Sequence, residues 1–415
     1  MWDAEGRRYL DFNAGFGSVN IGHNHPRMAA RLSRLFTEEP LNFCHMGPAR
    51  HAANLAEALC KRLGEPLSIC LFCSSGAEAV EGALKIARLA TGRTAFLSCE
   101  GAYHGLSLGT LSVMGEEHMA KSVGPLLADC QRVPFGDIEA ARQALATERF
   151  AAFLVEPIQC EGGIMLPPPG YLAEVQRLCR AHGTLMVLDE VQTGFGRTGR
   201  MFAFQDEGFV PDVVTLAKSL SGAIAPIGAT ITSAAINKRA YGSMHNFELP
   251  FSTFGGNAYS CAVGLETLQV LEEEGLAANS KVRGEQLLRG LRERLEGHPL
   301  IRAIRGPGLL VGIEFGPTDQ GILNRLCPRL VEMVLRGAFG LWVSVQLLER
   351  GFLCATATHR WDILRLEPPL TVTEERVETA INMVAEVLWQ YRSVTSILRD
   401  VTRRLGRQWM RHWRF

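Results

Sequence analysis

The 415-residue chain has little that would tie it to a membrane, a nucleic acid or an oxidising compartment. No apolar run reaches the length of a membrane span, and the opening Met1-Trp2-Asp3 has no secretory pattern. Neither sign of charge dominates: 43 Lys and Arg stand against 43 Asp and Glu. That balance removes the electrostatic case for nucleic acid or membrane as the main partner. Eleven cysteines are present, but they are scattered and odd in number, so no disulfide or metal framework is visible. Cys70 and Cys73 form a CxxC inside the apolar run Leu67–Cys73, where alternate side chains of a strand would point to opposite faces. They read as packing cysteines, and no metal site is expected. A reducing cytoplasm follows as the default setting. Lysine is the scarcest of the charged types. Lys61, Lys85, Lys121, Lys218, Lys238 and Lys281 are the only six, and the remaining basic residues are arginine.

What is present points to a large α/β protein. Hydrophobic residues make up 47% and charged residues 21% of a chain long enough for two domains. Short apolar runs at Leu67–Cys73, Thr94–Cys99, Ala151–Val155, Thr184–Leu188, Val213–Ala217 and Ile227–Thr232 alternate with helix-period segments such as Tyr171–His182. Helices alternating with apolar strands imply a mostly parallel sheet covered on both faces. A long helix-period stretch from about residue 258 to 295 then leads into a smaller α+β region with strand-like Leu309–Glu314 and Ile363–Leu366 and a helix at Glu374–Tyr391. The expected organisation is residues 1–42 joining the small domain, 43–277 as the large domain, 278–392 as the C-terminal part of the small domain, and 393–415 as a basic tail. The stretch Arg392 to Phe415 carries seven arginines, with two tryptophans and a phenylalanine; it reads as a solvated terminal helix, with surface or protein contact as the alternative.

Lys218 stands apart because it ends the apolar run Val213–Ala217. A lysine at the end of a core strand is costly to desolvate unless its chemistry requires it, and desolvation is one way an amine becomes a Schiff-base nucleophile. Asp189-Glu190 closes the apolar run Thr184–Leu188. Carboxylates at the C-terminal end of a parallel strand face the crevice where open α/β sheets bind ligands. Asp189 and Lys218 are one strand–helix–strand unit apart, which places them at the same edge, on neighbouring or near-neighbouring strands. A carboxylate near such a lysine suits a cofactor whose pyridine nitrogen must stay protonated, although a helix cap remains possible for Asp189 alone. Cys73-Ser74-Ser75-Gly76-Ala77 then reads as a strand end, a Ser/Gly turn and a helix start, the arrangement that aims backbone N–H groups at an anion. Gly194-Phe195-Gly196-Arg197-Thr198-Gly199 matches GxGxxG but lacks the apolar-periodic helix that a dinucleotide fingerprint needs, so it is set aside.

Taken together, these segments resemble the class III (ornithine, ω-amino-acid and putrescine type) aminotransferases of fold type I, from about Trp2 to Tyr391. The likeness rests on Ser74–Ala79, Tyr103-His104-Gly105, Glu156–Gly163, Leu188–Gly194, Ala217–Ser221, Ser252–Asn257 and Arg365–Leu370. The resemblance implies pyridoxal 5'-phosphate as cofactor, bound covalently by Lys218, which would also act as acid–base, with Asp189 on the pyridine nitrogen. It further implies Gln192 at the ring oxygen, Val191 beneath the ring, Tyr103 above it, and His104 and Glu156 among the cofactor contacts. Ser75, Gly76 and Ala77 would bind the phosphate, and Thr253 would reach it from the other subunit of a homodimer. Arg365 would take the carboxylate of a 2-oxo acid, and Glu161 would mask that arginine when an ω-amine is bound.

The chain departs from the family at several points. It lacks a further N-terminal segment usual before Trp2-Asp3, Ala258 stands where proline is usual, and the stretch Ser221–Pro226 is poorer in glycine than the norm. Arg336 to Gln346 looks like an apolar insertion, fitting a lid or a contact. The reaction expected is a ping-pong transfer from an amine or ω-amino donor to 2-oxoglutarate or pyruvate. A mutase or decarboxylase on the same cofactor, or a non-catalytic scaffold, are the alternatives.

Overall fold

A computed structural model describes residues 1–39, 41, 47, 49–316 and 327–412. The chain divides into two units, one of Ala14–Lys281 with Pro369–Thr371, the other of Met1–Asn13, Val282–Pro368 and Val372–Phe415. The boundary expected at 42/43 lies outside the described residues.

The first strand, β1 (Leu10–Asp11), belongs to the smaller unit. The larger unit is built on seven strands: β2 (Leu67–Cys73), β3 (Ala95–Cys99), β4 (Cys130–Val133), β5 (Phe150–Val155), β6 (Leu185–Asp189), β7 (Val213–Leu216) and β8 (Gly228–Ser233). They lie in the order β2-β8-β7-β6-β5-β3-β4. Only β8 runs antiparallel to its neighbours; the other pairings are parallel. The fold is therefore α/β with a mostly parallel sheet, as the alternating runs imply. Every residue of β3, β5, β6, β7 and β8 is buried, which is why those strands read as mostly apolar runs without alternation, broken only by small hydroxyl residues such as Thr215 and Thr230 before the ends of the runs. β4 is absent from the runs picked out above. It sits at the sheet edge, only its Val133 is fully buried, and Gln131 and Arg132 break its apolar pattern.

The helix Gly76–Thr91 follows β2 because Ser75 caps it, its hydroxyl accepting the Glu78 N–H at 3.2 Å, and because Gly92 (φ 72°) ends it. Its buried Ala79, Val80, Ala83, Leu84, Ile86 and Ala87 face the core formed with Phe96, Ala152, Leu154, Val187 and Val213. Gly82 lets this helix approach β8, since a Cβ there would lie 2.7 Å from Thr230 Oγ1, whose hydroxyl donates to the Ala79 carbonyl at 2.6 Å. That close seat fixes where the helix start stands relative to the strand ends. The long helical stretch read at 258–295 is two helices, Ala258–Glu273 and Leu276–Arg294, divided at Gly275 (φ 61°).

In the smaller unit, β9 (Ile301–Arg305), β10 (Val311–Phe315), β12 (Ala355–Thr356) and β13 (Ile363–Leu366) form an antiparallel sheet ordered β12-β13-β10-β9, and β11 (Phe352–Leu353) pairs in parallel with β1. The apolar stretch 336–346 forms no separate lid. It continues the helix Pro328–Val334 through a π-turn at Leu335–Phe339 into Gly340–Glu349. Leu335, Phe339, Val343 and Leu347 are buried, and the Phe339 ring meets Phe315 at 4.7 Å. By length and composition alone Val331–Glu349 could cross a membrane, although Glu332 and Arg336 interrupt its apolar run and Leu335, Phe339, Val343 and Leu347 are buried within the protein. The tail forms a helix, Val394–His412, with Val394 and Ile397 buried and Arg404 paired with Glu349 and Asp400. The tail's last three residues, including its second tryptophan and its phenylalanine, lie outside the described residues.

Candidate active site

At the C-terminal edge of the parallel strands the larger unit opens a cavity of about 680 Å³. Ser75, Gly76, Ala77, Tyr103, His104, Glu156, Glu161, Asp189, Val191, Gln192 and Lys218 all line it. Two residues named from the sequence do not. Thr253 is exposed and outside the lining, and Arg365 lies on β13 in the smaller unit.

β6 and β7 are adjacent, with Asp189 opposite Thr215, so Asp189 and Lys218 end neighbouring strands. Asp189 is buried and well supplied with donors. Its Oδ1 accepts the Val191 N–H at 3.1 Å and the Thr215 hydroxyl at 2.9 Å. Its Oδ2 meets His104 Nδ1 at 2.7 Å. A carboxylate can only accept here, so the proton sits on Nδ1. His104 Nε2 is buried with no hydrogen-bond partner among the described residues. Lys218 follows β7 in a short 3-10 turn and has a positive φ of 47°, a strained conformation for a side-chain-bearing residue. Its ammonium donates to Gln192 Oε1.

Gln192 in turn donates from Nε2 to the Phe16 carbonyl at 3.1 Å, and Ser219 Oγ donates to the Gly17 carbonyl at 2.9 Å. These bonds hold Ala14–Gly17, a turn in which all four residues have positive φ. The sequence offers no sign of this turn beyond two glycines, and Ala14 and Phe16 adopt it against their intrinsic preference.

At the other end of the cavity, β2 delivers Ser74 and Ser75 to the first turn of the helix Gly76–Thr91. The first N–H groups of a helix have no acceptor within it and carry its positive dipole end, so Gly76 and Ala77 offer donors to an anion. The cradle is tight. A Cβ on Gly76 would stand 3.1 Å from Val191, one on Gly105 2.8 Å from Ala77, and one on Gly228 2.2 Å from the Ser75 carbonyl.

Glu156 follows β5 and accepts the Tyr103 N–H at 3.2 Å. Burial, reinforced by the Asp189 charge, holds its carboxyl well above the ordinary range. Burial and the Glu161 carboxylate likewise raise the Tyr103 phenol. Glu190, beside Asp189 in sequence, turns away from the cavity to accept from the Thr193 hydroxyl and the Phe204 N–H. Burial raises its carboxyl to about 7. The GxGxxG look-alike forms turns, with no helix start. Among the described residues no cluster of metal-ligating side chains occurs.

A primary amine, an ionisable carboxylate on the neighbouring strand and an anion cradle in one cavity fit a pyridine ring bearing an aldehyde and a phosphate. The unsatisfied Nε2 of His104 and the glycine-lined cradle are the marks of a site shaped to receive a group.

The profile of the family Aminotransferase class-III matches residues 1–388. The chain is 34% identical over 418 residues to aminotransferase PigE of Serratia sp. (strain ATCC 39006), a match covering 93% of this chain and 49% of that protein. The chain thus spans about half the length of this curated relative. Its fold is similar to an (S)-enantioselective omega-transaminase from Thermomicrobium roseum (TM-score 0.84, 31% identity, 94% of this chain and 90% of that one). It is also similar to the ornithine aminotransferase of Toxoplasma gondii, described with partial occupancy of PLP at its active site (TM-score 0.81, 32% identity, 93% of this chain and 87% of that one).

Proposed function

Since the chain belongs to the class-III aminotransferases, a family that depends on pyridoxal phosphate, we propose that it moves an amino group from an amine or ω-amino donor to a 2-oxo acid. A diamine such as putrescine or an ω-amino acid is the donor this reading favours, with 2-oxoglutarate or pyruvate as acceptor, in a ping-pong cycle. The observation that carries the proposal is the pairing of β6 with β7, which sets Asp189 and Lys218 side by side facing the Ser75 turn.

Bound pyridoxal phosphate supplies a carbonyl carbon for the amine and a ring that accepts electrons. The protein's own groups do the rest. The Lys218 amine would anchor the cofactor and could then carry a proton to or from the reacting carbon. Asp189 would keep the pyridine nitrogen protonated, and the N–H groups of Gly76 and Ala77, with Ser75, would hold the phosphate. Val191, Tyr103, His104, Glu156 and Gln192, which line the cavity, would contact the ring. Thr253 serves the partner subunit's phosphate in a homodimer, consistent with its exposure in the single chain. Arg365 receives the acceptor's carboxylate and Glu161 answers it when an ω-amine is bound.

The test is a panel of amines and ω-amino acids offered with 2-oxoglutarate or pyruvate, read by cofactor absorbance and product formation, with Arg365→Ala alongside. Conversion of the cofactor to its amine form by at least one donor is expected. A panel in which no donor achieves it sinks the transaminase assignment. Arg365→Ala should raise the KM for 2-oxoglutarate by roughly 10- to 100-fold, as for a lost charged hydrogen-bond pair. An unchanged KM removes Arg365 from the acceptor site.

A further inference from the structure

The strand β7 reads Val213-Val214-Thr215-Leu216, and all four residues are fully buried. A single hydroxyl in an otherwise apolar central strand is costly unless it is bonded. The Thr215 hydroxyl spends its proton on Asp189 Oδ1 at 2.9 Å. Its main-chain carbonyl also accepts the Glu190 N–H at 3.1 Å, so one residue grips both the side chain of Asp189 and the backbone just beyond it.

A carboxylate offers about four acceptor positions. On Asp189, Thr215 and Val191 fill both positions on Oδ1, and His104 Nδ1 fills one on Oδ2. One position remains, on Oδ2. Without the Thr215 hydroxyl, Oδ1 would regain a free lone pair in a buried site, and the carboxylate could rotate to present either oxygen. We propose that Thr215 is a positioning residue that acts through Asp189, committing its Oδ2 to the pyridine nitrogen of the bound cofactor. The inference rests on the assignment of Asp189 to that nitrogen. Thr215 itself touches neither cofactor nor substrate: it is absent from the cavity lining and reaches the chemistry only through the carboxylate.

Two substitutions separate the hydroxyl from the bulk of the side chain. Thr215→Val keeps the shape and removes the donor, whereas Thr215→Ser keeps the donor and removes a methyl. In the full chain loaded with pyridoxal phosphate, Thr215→Val should lower kcat by roughly 10- to 100-fold, the worth of one hydrogen bond to a charged group, with the KM of both substrates little changed. It should also weaken the visible circular dichroism of the bound cofactor, which reports ring orientation, and raise its dissociation constant. Thr215→Ser should restore the dichroism and most of kcat. If Thr215→Val does not fold, the same contrast is read between Thr215→Ala and Thr215→Ser. The proposal is overturned if the variant lacking the hydroxyl keeps the parent's dichroism and kcat, or if Thr215→Ser is as impaired as that variant. A parent protein that binds no cofactor overturns the assignment of the whole site. A parent that binds and turns over, with a silent Thr215 series, overturns this inference alone.

Discussion

The C-terminal edge of the seven-stranded sheet and the Glu314 corner of the four-stranded sheet both gather acidic side chains, under opposite conditions. At the first, Asp189, Glu156 and Glu190 are each at least nine-tenths buried, and their partners are mostly neutral donors: a histidine, hydroxyls and backbone N–H groups. At the second, the Glu314 side chain on β10 is 13% exposed and meets Arg305, Arg360 at 3.2 Å and Arg302 at 3.7 Å; of these four only Arg302, 60% exposed, lies largely in water. That corner has the greater number of formal ion pairs, and water screens the one that Arg302 makes. The buried edge has fewer charges, and each one matters because few other groups can answer it in a low-dielectric site.

The sharpest way to break the comparison is Asp189→Asn. It keeps the size of the side chain and removes the charge, and should lower kcat by about 10²–10³-fold, as for loss of a preorganised electrostatic partner. Steady-state kinetics with a substrate from the amine panel would measure it; a loss below tenfold would place this carboxylate with the structural acids.

Glu190 gives the next largest effect, and on stability. Its carboxyl titrates at about 7 when folded against an ordinary value of 4.5. Between those values the folded chain holds a proton that the unfolded chain has released. The contribution is therefore most favourable at low pH and is lost as pH rises through that window, by roughly 3–4 kcal/mol at most. Glu190→Gln should flatten this part of the curve. Comparing the denaturant midpoints of parent and variant at about pH 5 and about pH 8 would show it.

Arg302→Ala should have the smallest effect, under about 0.5 kcal/mol on unfolding and none on turnover. A loss above about 1 kcal/mol would mean that the exposed Arg302–Glu314 pair behaves like the buried edge, and the contrast would fail.

Much of this architecture is legible because burial writes itself into composition. β5, β6 and β7 are covered on both faces, so their sequences are apolar runs broken only by Thr215 before the polar group that closes them, and the candidate site residues stand out where those runs end. Lys218, Asp189 and the Ser75 turn are found this way. β4 escapes because an edge strand is half solvated, and the helical state of 336–346 escapes because a helix and an apolar loop differ little over eleven residues. Thr215 escapes for another reason: a threonine in a strand is ordinary, and its significance depends on which residue lies across the sheet. The signal was nonetheless present, as the single polar residue in Val213–Leu216.

By itself the sequence determined the fold class, the family and the candidate lysine, carboxylate and Ser/Gly turn, because each is encoded locally by a run of apolar residues and the polar group that closes it. Only the tertiary structure decided that β6 and β7 are neighbours in a register that sets Asp189 against Thr215. It also decided that Gln192 links Lys218 to the Phe16 turn across 176 residues, and that His104 arrives from the loop after β3 to complete the hold on Asp189. Strand order and side-chain hydrogen bonding depend on how the whole sheet packs its helices, and no short segment contains that information.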